Sequence, residues 1–183
     1  MDFKTVLKKI LSEFEREGIR YALMGGFALG VWGLPRGTVD IDFLVEHNHL
    51  NQIKKIMANL GYKCIYETEN VSQYISPEKT FGEIDFLHAF REPSREMLKR
   101  SVVKEIFQGE IRIKVLKPED LIGLKVQAIA NDESRKAFDL ADIESLLSRF
   151  RQELDWNLIN KYFEIFNFRE IFLELKKKHG HSQ

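Results

Sequence analysis

Residues 23–45 read LMGGFALGVWGLPRGTVDIDFLV and set a pair of glycines and a pair of aspartates into an apolar stretch. The apolar run before the glycines predicts a strand over Tyr21–Met24, and residues 27–32 after them predict a short helix. A loop rich in glycine, proline and arginine follows. Residues 39–45 predict a second strand, because their β-branched and aromatic content is typical of one.

The two aspartates of this second strand are costly to place in an apolar run without a partner. Because strand side chains alternate, Asp40 and Asp42 point to one face and lie about 7 Å apart along it. Two carboxylates held in this way suit a hard divalent cation. The paired glycines Gly25 and Gly26, at the mouth of a helix, suit a phosphate group. Metal and phosphate together indicate nucleotide chemistry.

Composition sets the broad class of the protein. With 183 residues, the chain is expected to form one domain or a domain with a small helical appendix, and its 44% hydrophobic content is ordinary for a globular protein. Lys+Arg and Asp+Glu balance at 28 each, which argues against a dedicated nucleic-acid binder and leaves a local basic patch open. The one cysteine, Cys64, is expected to be a buried small hydrophobe. No apolar run has membrane-spanning length, so we expect no membrane partner and a cytoplasmic location.

The chain divides by its pattern into a core of mixed elements, 1–117, and a helical part, 118–183. In the core, Asp2 is expected to cap a helix that Gly18 ends, and Asn48 or His49 is expected to open another that Gly61 ends. A short helix is expected after Pro93. Further strands are predicted over 62–66, 71–75, 82–88, 102–107 and 111–116. After residue 117 the strand signals vanish, and helices are predicted over 118–130, 134–150, 154–166 and 169–178.

Three further charged residues stand in apolar surroundings. Asp85 lies inside the predicted strand 82–88. Lys125 lies in the middle of the apolar face of the first helix of the helical part, and Asp139 shares a face of the next helix with apolar residues. The pattern of these two helices leaves two interpretations open, a buried ion pair or a lysine that is directed into a polar cleft.

Gly25-Gly26, thirteen intervening residues, Asp40-Ile41-Asp42 and the later Asp85 resemble the DNA polymerase β-like nucleotidyltransferase superfamily. The segments RGTVDID (36–42), PEDLIGLK (118–125) and RKAFDLADI (135–143) look closest to the prokaryotic abortive-infection (type IV toxin) nucleotidyltransferases and their uncharacterised relatives. The resemblance covers about residues 21–147. Many members of the superfamily have Gly-Ser where this chain has Gly-Gly, so backbone N–H groups must do more of the phosphate binding here.

The resemblance implies an α+β fold, the polymerase β-like palm. Its small mixed sheet carries the three acids and is flanked by helices, and the helical C-terminal part packs on the core and closes the cleft. The resemblance also implies two Mg²⁺ ions, with Mn²⁺ as a substitute, held by Asp40, Asp42 and Asp85. Of these acids, Asp85 would serve only the ion that activates the acceptor oxygen.

The activity implied is transfer of an NMP group from an NTP to an acceptor, with release of pyrophosphate. The acceptor would be a tRNA end, a protein or a small hydroxylated molecule, and a toxin of this branch would have an antitoxin partner. Thr38 would join the glycines in the nucleotide site, and Arg36 would either approach the phosphates or brace its loop. Lys125 would neutralise the triphosphate or pyrophosphate, and Asp139 would orient Lys125 or touch the nucleotide. The alternative is a non-catalytic module of the same fold that binds a nucleotide or a partner. The presence of all three acids argues against this alternative.

Overall fold

A computed structural model describes residues 1–34, 36–78 and 80–180 of the chain. The chain forms two compact units, Met1–Leu116 and Lys117–Gln183. Part of the predicted loop before the second strand (residue 35) and the end of the predicted helical part (181–183) lie outside the described residues. Among the described residues, none of the helices combines the length and the apolar character needed to cross a membrane.

The first unit is built on a seven-stranded mixed sheet with the strand order β3-β4-β5-β2-β1-β7-β6. Its strands are β1 (Tyr21–Met24), β2 (Asp40–Glu46), β3 (Lys63–Glu67), β4 (Val71–Ile75), β5 (Glu83–Ala89), β6 (Val102–Ile106) and β7 (Ile111–Val115). Its helices are α1 (Phe3–Arg16), α2 (Gly25–Val31), α3 (Leu50–Asn59) and α4 (Glu92–Arg100). The predicted α+β class with helices around a mixed sheet is therefore confirmed.

The central pair of the sheet is β2 with β5, which run parallel and stay in register over seven residues, from Asp40 opposite Glu83 to Glu46 opposite Ala89. On one face of this pair, the rings of Phe43 and Phe86 stack at 5.9 Å and are covered by Phe14 of α1. This face is the core of the unit, because Phe14, Phe43 and Phe86 are all buried. The alternation of strand side chains sends the neighbouring aspartates to the other face.

The second unit consists of α5 (Pro118–Asn131), α6 (Lys136–Arg149), α7 (Trp156–Ile165) and α8 (Arg169–His179). Its core contains apolar residues from all of these helices, among them Ile122, Leu146, Phe163 and Phe172. Helix α5 contacts Tyr162 of α7 closely, since a Cβ atom added at Gly123 would lie 2.6 Å from its ring. The Tyr162 hydroxyl donates a hydrogen bond of 2.6 Å to the buried carboxylate of Asp120.

Two expectations for the first unit need correction. Cys64 is exposed, because all five residues of β3 are exposed at this edge of the sheet. Helix α2 begins at Gly25 rather than at residue 27, because Gly25 takes a φ of +67° and turns the chain directly from the strand into the helix. The other predicted helices and strands agree with the structure to within a few residues.

Candidate active site

Three carboxylates meet on the face of the sheet opposite the phenylalanine core. Asp40 and Asp42 lie on β2, and Asp85 on β5 stands directly opposite Asp42 in the parallel register. One carboxylate oxygen from each of the three lies within 4.8 Å of the others, and each side chain is half-buried. We call Asp40, Asp42 and Asp85 the acidic triad.

The environment of Asp85 disfavours its charged form. Burial raises the pKa of its carboxyl group above the usual value, and repulsion by Asp40 and Glu83 acts in the same direction. Gln73 of β4, paired opposite Asp85, lowers this pKa by donating a hydrogen bond of 3.1 Å from Nε2 to Oδ2. Gln73 therefore occupies one oxygen of Asp85 and holds the carboxylate in place.

Asp40 has a positioning partner of its own. The Thr38 hydroxyl donates a hydrogen bond of 2.5 Å to Oδ1 of Asp40. A Cβ atom added at Gly26 would lie 3.1 Å from Oγ1 of Thr38. Gly26, Thr38 and Asp40 therefore form one contiguous group beside the triad.

Gly25 lies against the triad and leaves no room for a side chain there. A Cβ atom at this position would lie 1.9 Å from Oδ2 of Asp42, and the φ of +67° disfavours any residue with a side chain. Met24, the residue before it, pairs with Asp42 in the antiparallel register of β1 and β2. The glycine thus lets the start of α2 lie against the Asp42 carboxylate.

The chemistry of the donor set fits divalent metal ions. Magnesium prefers carboxylate oxygens and shares its remaining positions with substrate phosphates and water. Three half-buried carboxylates at this separation repel one another, and a cation among them removes that cost. Glu83, opposite Asp40 in the register, is exposed and does not belong to the group of converging oxygens.

Lys125 and Asp139 form an ion pair within the helical unit. Nζ of Lys125 lies 2.9 Å from Oδ1 of Asp139 and 2.5 Å from Oδ2 of Asp142. Nε of Arg135 lies 3.0 Å from the other oxygen of Asp139. The side chain of Asp139 is only 2% exposed, so its two cations compensate a charge that is almost fully removed from water. Lys125 is thus paired with acids of its own unit, and its role toward a nucleotide stays a prediction.

The structure brings Gly25, Gly26, Thr38 and the triad together. Arg36 is exposed in the loop before β2. Gln73 and Asp142 were missed from the sequence. Asp142 lies three residues after Asp139, a spacing that places both on one side of a helix, whereas the partnership of Gln73 required the register of β4 with β5.

The sequence matches the family described as uncharacterised nucleotidyltransferases over residues 3–175, and the chain belongs to this family. The chain is thus a nucleotidyltransferase by family, and it has the fold and the clustered acids expected of one. Comparison with curated proteins gives no match.

Solved structures of similar fold agree with the family. The solution structure of the antibiotic-resistance factor ANT(2'')-Ia matches with a TM-score of 0.66 at 17% identity, covering 98% of this chain and 100% of that one. A putative nucleotidyltransferase from Thermotoga maritima gives 0.55 at 18% identity over 74% and 91% of the two chains. The lincosamide antibiotic adenylyltransferase LnuA, with lincomycin bound, gives 0.53 at 17% identity over 79% and 96%. These likenesses establish the shared fold.

Proposed function

We propose that this nucleotidyltransferase moves an NMP group from an NTP to a hydroxyl group of an acceptor and releases pyrophosphate. The observation that carries the proposal is the acidic triad, whose carboxylate oxygens converge within 4.8 Å next to the glycines that begin α2. In the reaction, the acceptor oxygen bonds to the α-phosphorus, and the bond from that phosphorus to the bridging oxygen of the β-phosphate breaks. The proton of the acceptor hydroxyl leaves to solvent.

The triad holds two Mg²⁺ ions in this proposal, Asp40 and Asp42 holding both and Asp85 completing the second site. Bound there, the ions supply neutralisation of the phosphates and activation of the acceptor oxygen, and Mn²⁺ would serve in their place. Backbone N–H groups of Gly25 and Gly26 orient the phosphates. Thr38 and Gln73 keep Asp40 and Asp85 in the orientation that binding requires.

The remaining predicted residues have supporting roles. Lys125 neutralises the triphosphate or the leaving pyrophosphate, and Asp139, with Asp142 beside it, orients the lysine. Arg36 either contacts the phosphates or braces the loop that leads to Asp40. That the helical part, 118–183, closes the cleft stays a prediction from the sequence.

The acceptor is the least defined part of the proposal. ANT(2'')-Ia is an antibiotic-resistance factor and LnuA is an adenylyltransferase of lincosamide antibiotics, which supports a small hydroxylated molecule. A tRNA end and a protein are the other two acceptor classes that the sequence suggests. A toxin role, an antitoxin partner and a cytoplasmic location likewise stay predictions.

The test is incubation of the protein with each of the NTPs, labelled at the α-phosphate, and Mg²⁺. Parallel reactions contain total RNA, protein extract or a pool of small hydroxylated compounds. We expect label to enter one pool and pyrophosphate to appear, and both to be lost in Asp42→Asn. An NTP that binds without any transfer to these pools would instead support the non-catalytic nucleotide-binding module.

A further inference from the structure

A cleft opens in the sheet between β1 and β7, at the end away from the acidic triad. Among the described residues, the two strands pair at Leu23 with Val115 alone. A cavity of about 670 Å³ lies beside α1, and a second cavity of about 390 Å³ lies beside α4. Arg20, Tyr21 and Lys114 line both cavities, so the two lie next to each other, and we treat them together as one cleft.

The cleft is strongly basic, although the whole chain has a formal net charge of zero. Six cations and three glutamates line it, the cations being Lys8, Arg20, Arg95, Lys99, Arg112 and Lys114. We call these six residues the basic cleft. This local excess of positive charge contrasts with the acidic triad on the same sheet.

Half of the basic cleft has no counter-ion. Lys8, Arg20 and Lys99 each bind a glutamate, at 2.8, 3.2 and 2.6 Å. Arg95, Arg112 and Lys114 form no ion pair with any residue that the structure describes. Cations left unpaired around a cavity retain their full capacity to bind an external anion.

The basic cleft is separate from the candidate nucleotide site. Tyr21, which lines both cavities, and Met24, which pairs with Asp42, stand at opposite ends of β1. Met24 lies three residues after Tyr21 along the strand, a distance of about 10 Å. The cations therefore belong to a different ligand or to a distant part of a long one.

We propose that the basic cleft binds the phosphate backbone of a single-stranded nucleic acid. A small anion would occupy one cavity, whereas a strand that follows the cleft reaches the cations beside both α1 and α4. Arg112 and Lys114 project from the same side of β7 about 7 Å apart, close to the separation of successive phosphates in an extended strand. Arginine in addition offers a planar fork of donors that matches a phosphate group.

The apolar surface of the cleft suits the rest of such a ligand. Leu11, Ile19 and Val103 line the larger cavity together with the cations, and Val103 is 49% exposed. In binding sites of this kind a positively charged groove follows the backbone, which gives binding without sequence preference. Binding is therefore expected to tolerate many sequences and to weaken steeply with salt.

The test is the fluorescence anisotropy of a labelled single-stranded RNA of about 12 nucleotides, titrated in EDTA without NTP at roughly 50 to 200 mM salt. Replacing Arg112 and Lys114 together by glutamine should weaken binding about tenfold or more. It should also reduce the slope of log K against log salt by about 1.4, since each phosphate contact contributes about 0.7. Arg95→Gln, on an exposed face of α4, should reduce that slope by about 0.7.

The matched control replaces two other lysines by glutamine, Lys55 on α3 and Lys177 on α8, which are exposed and lie outside both cavities. It removes the same charge and should leave affinity within about twofold and the slope unchanged. Equal weakening by the control and by the cleft variants would overturn the proposal, because binding would then follow net charge alone. If the Arg112 and Lys114 double variant melts early, Arg95→Gln alone decides between these results.

Competitors and one active-site variant complete the test. An acidic peptide that displaces the RNA at lower concentration than unlabelled RNA would overturn the proposal in favour of a protein partner. Displacement by inorganic phosphate or ATP at the same phosphate concentration would overturn it in favour of a small anion. Asp40→Asn should bind the RNA as the parent protein does, although it should lose transfer. This variant therefore tests RNA binding by the basic cleft separately from the proposed transfer reaction.

Discussion

Asp85 differs from the other two acids in the strand that carries it and in its partner, Gln73. Asp40 and Asp42 share β2, and in the proposed mechanism both metal ions would depend on them, whereas Asp85 would serve only one. We therefore expect Asp40→Asn and Asp42→Asn to lose Mg·NTP binding and transfer together. Asp85→Asn should keep Mg·NTP binding nearly intact and lower turnover by about 10²–10⁴, because only activation of the acceptor is lost.

The measurement is NTP affinity by calorimetry and turnover for each single variant, with circular dichroism to check folding. Glu83→Gln is the matched control, since Glu83 lies on the same strand face but outside the converging oxygens. It should keep both binding and turnover. Loss of NTP binding in Asp85→Asn as severe as in Asp40→Asn contradicts the division of labour, and loss of turnover in Glu83→Gln would move the third ligand to that residue.

His88 is a titratable residue that is buried in the core and does not belong to the candidate site. Its Nδ1–H donates to the Glu69 carbonyl at 2.9 Å, so its Nε2 accepts from the Ser72 hydroxyl at 3.0 Å. Burial lowers the pKa of His88, and the nearby His47 acts in the same direction. The side chain is 4% exposed, on the face opposite Asp85.

A pH dependence of stability follows from this lowered pKa. In the unfolded chain this histidine binds a proton near pH 6.5, whereas in the folded protein it does so only at lower pH. Its contribution to the free energy of unfolding is therefore complete above about pH 6.5 and is lost as pH falls. His88→Gln should remove this part of the acid sensitivity, up to about 1.4 kcal/mol per pH unit. Urea unfolding of both proteins between about pH 5 and pH 7 measures it, and parallel curves for the two would show that His88 is not responsible.

The turn from β1 into α2 is the element that depends most on a single residue type. Gly25→Ala would put a methyl carbon 1.9 Å from Oδ2 of Asp42 and would strain a φ of +67°. The left-handed backbone alone costs about 1–2 kcal/mol, and the Asp42 carboxylate must move away. We expect a measurable loss of stability and the loss of Mg·NTP binding.

Gly30→Ala is the control for this element, because a Cβ atom at Gly30 in the same helix meets nothing within 4 Å. Alanine there should be neutral or stabilising by up to about 1 kcal/mol and should leave NTP binding unchanged. Thermal unfolding and calorimetry compare the two variants. Full NTP affinity in a folded Gly25→Ala protein would show that the close approach to Asp42 is dispensable.

Most of the elements around the site could be predicted from local sequence. The bounds of β1 match the prediction residue for residue, and β2 differs by one, because alternation and β-branched content are local signals. The shared face of Asp40 and Asp42 follows from the same alternation. The meeting of Asp42 with Asp85 could be suspected from the resemblance, but its geometry depends on the long-range register of β2 with β5.

What the sequence did not reveal depends mainly on contacts between strands that are distant in sequence. Cys64 was expected to be buried because its neighbours in sequence are apolar, yet its exposure depends on β3 being the edge strand. Nothing in the local sequence marks Gln73 as a partner of Asp85, because it is a single amide in an ordinary strand. Its role becomes visible only when β4 is paired with β5. In contrast, the link between Asp139 and Asp142 was accessible from their helical spacing.

At the scale of the whole molecule, charge is separated although it sums to zero. In the unit Met1–Leu116, the acidic triad lies on the strands beside one end of β1 and the basic cleft lies at the other end. The ion pair of Lys125 lies in the other unit. A balanced composition argued against a dedicated nucleic-acid binder but left a local basic patch open. The structure contains such a patch, which composition alone does not locate.

The repulsion within the triad leads to a prediction for the stability of the whole chain. Asp42 and Asp85 stand directly opposite each other, and repulsion by Asp40 helps to raise the pKa of Asp85, so a cation among the triad is expected to be favourable. Mg·NTP should therefore stabilise the protein, since a ligand present at about 100 times its Kd adds about 2.7 kcal/mol to the free energy of unfolding. For a chain of this size, that corresponds to a rise in Tm of roughly 5–10 °C.

Scanning calorimetry with Mg²⁺ alone, NTP alone, both together, and both with excess EDTA measures this effect. The full rise is expected only with both ligands, because magnesium shares its coordination positions with substrate phosphates. In Asp42→Asn the rise with Mg·NTP should vanish. An equal rise with NTP in EDTA would mean that the nucleotide binds without metal, and the triad would then need another explanation.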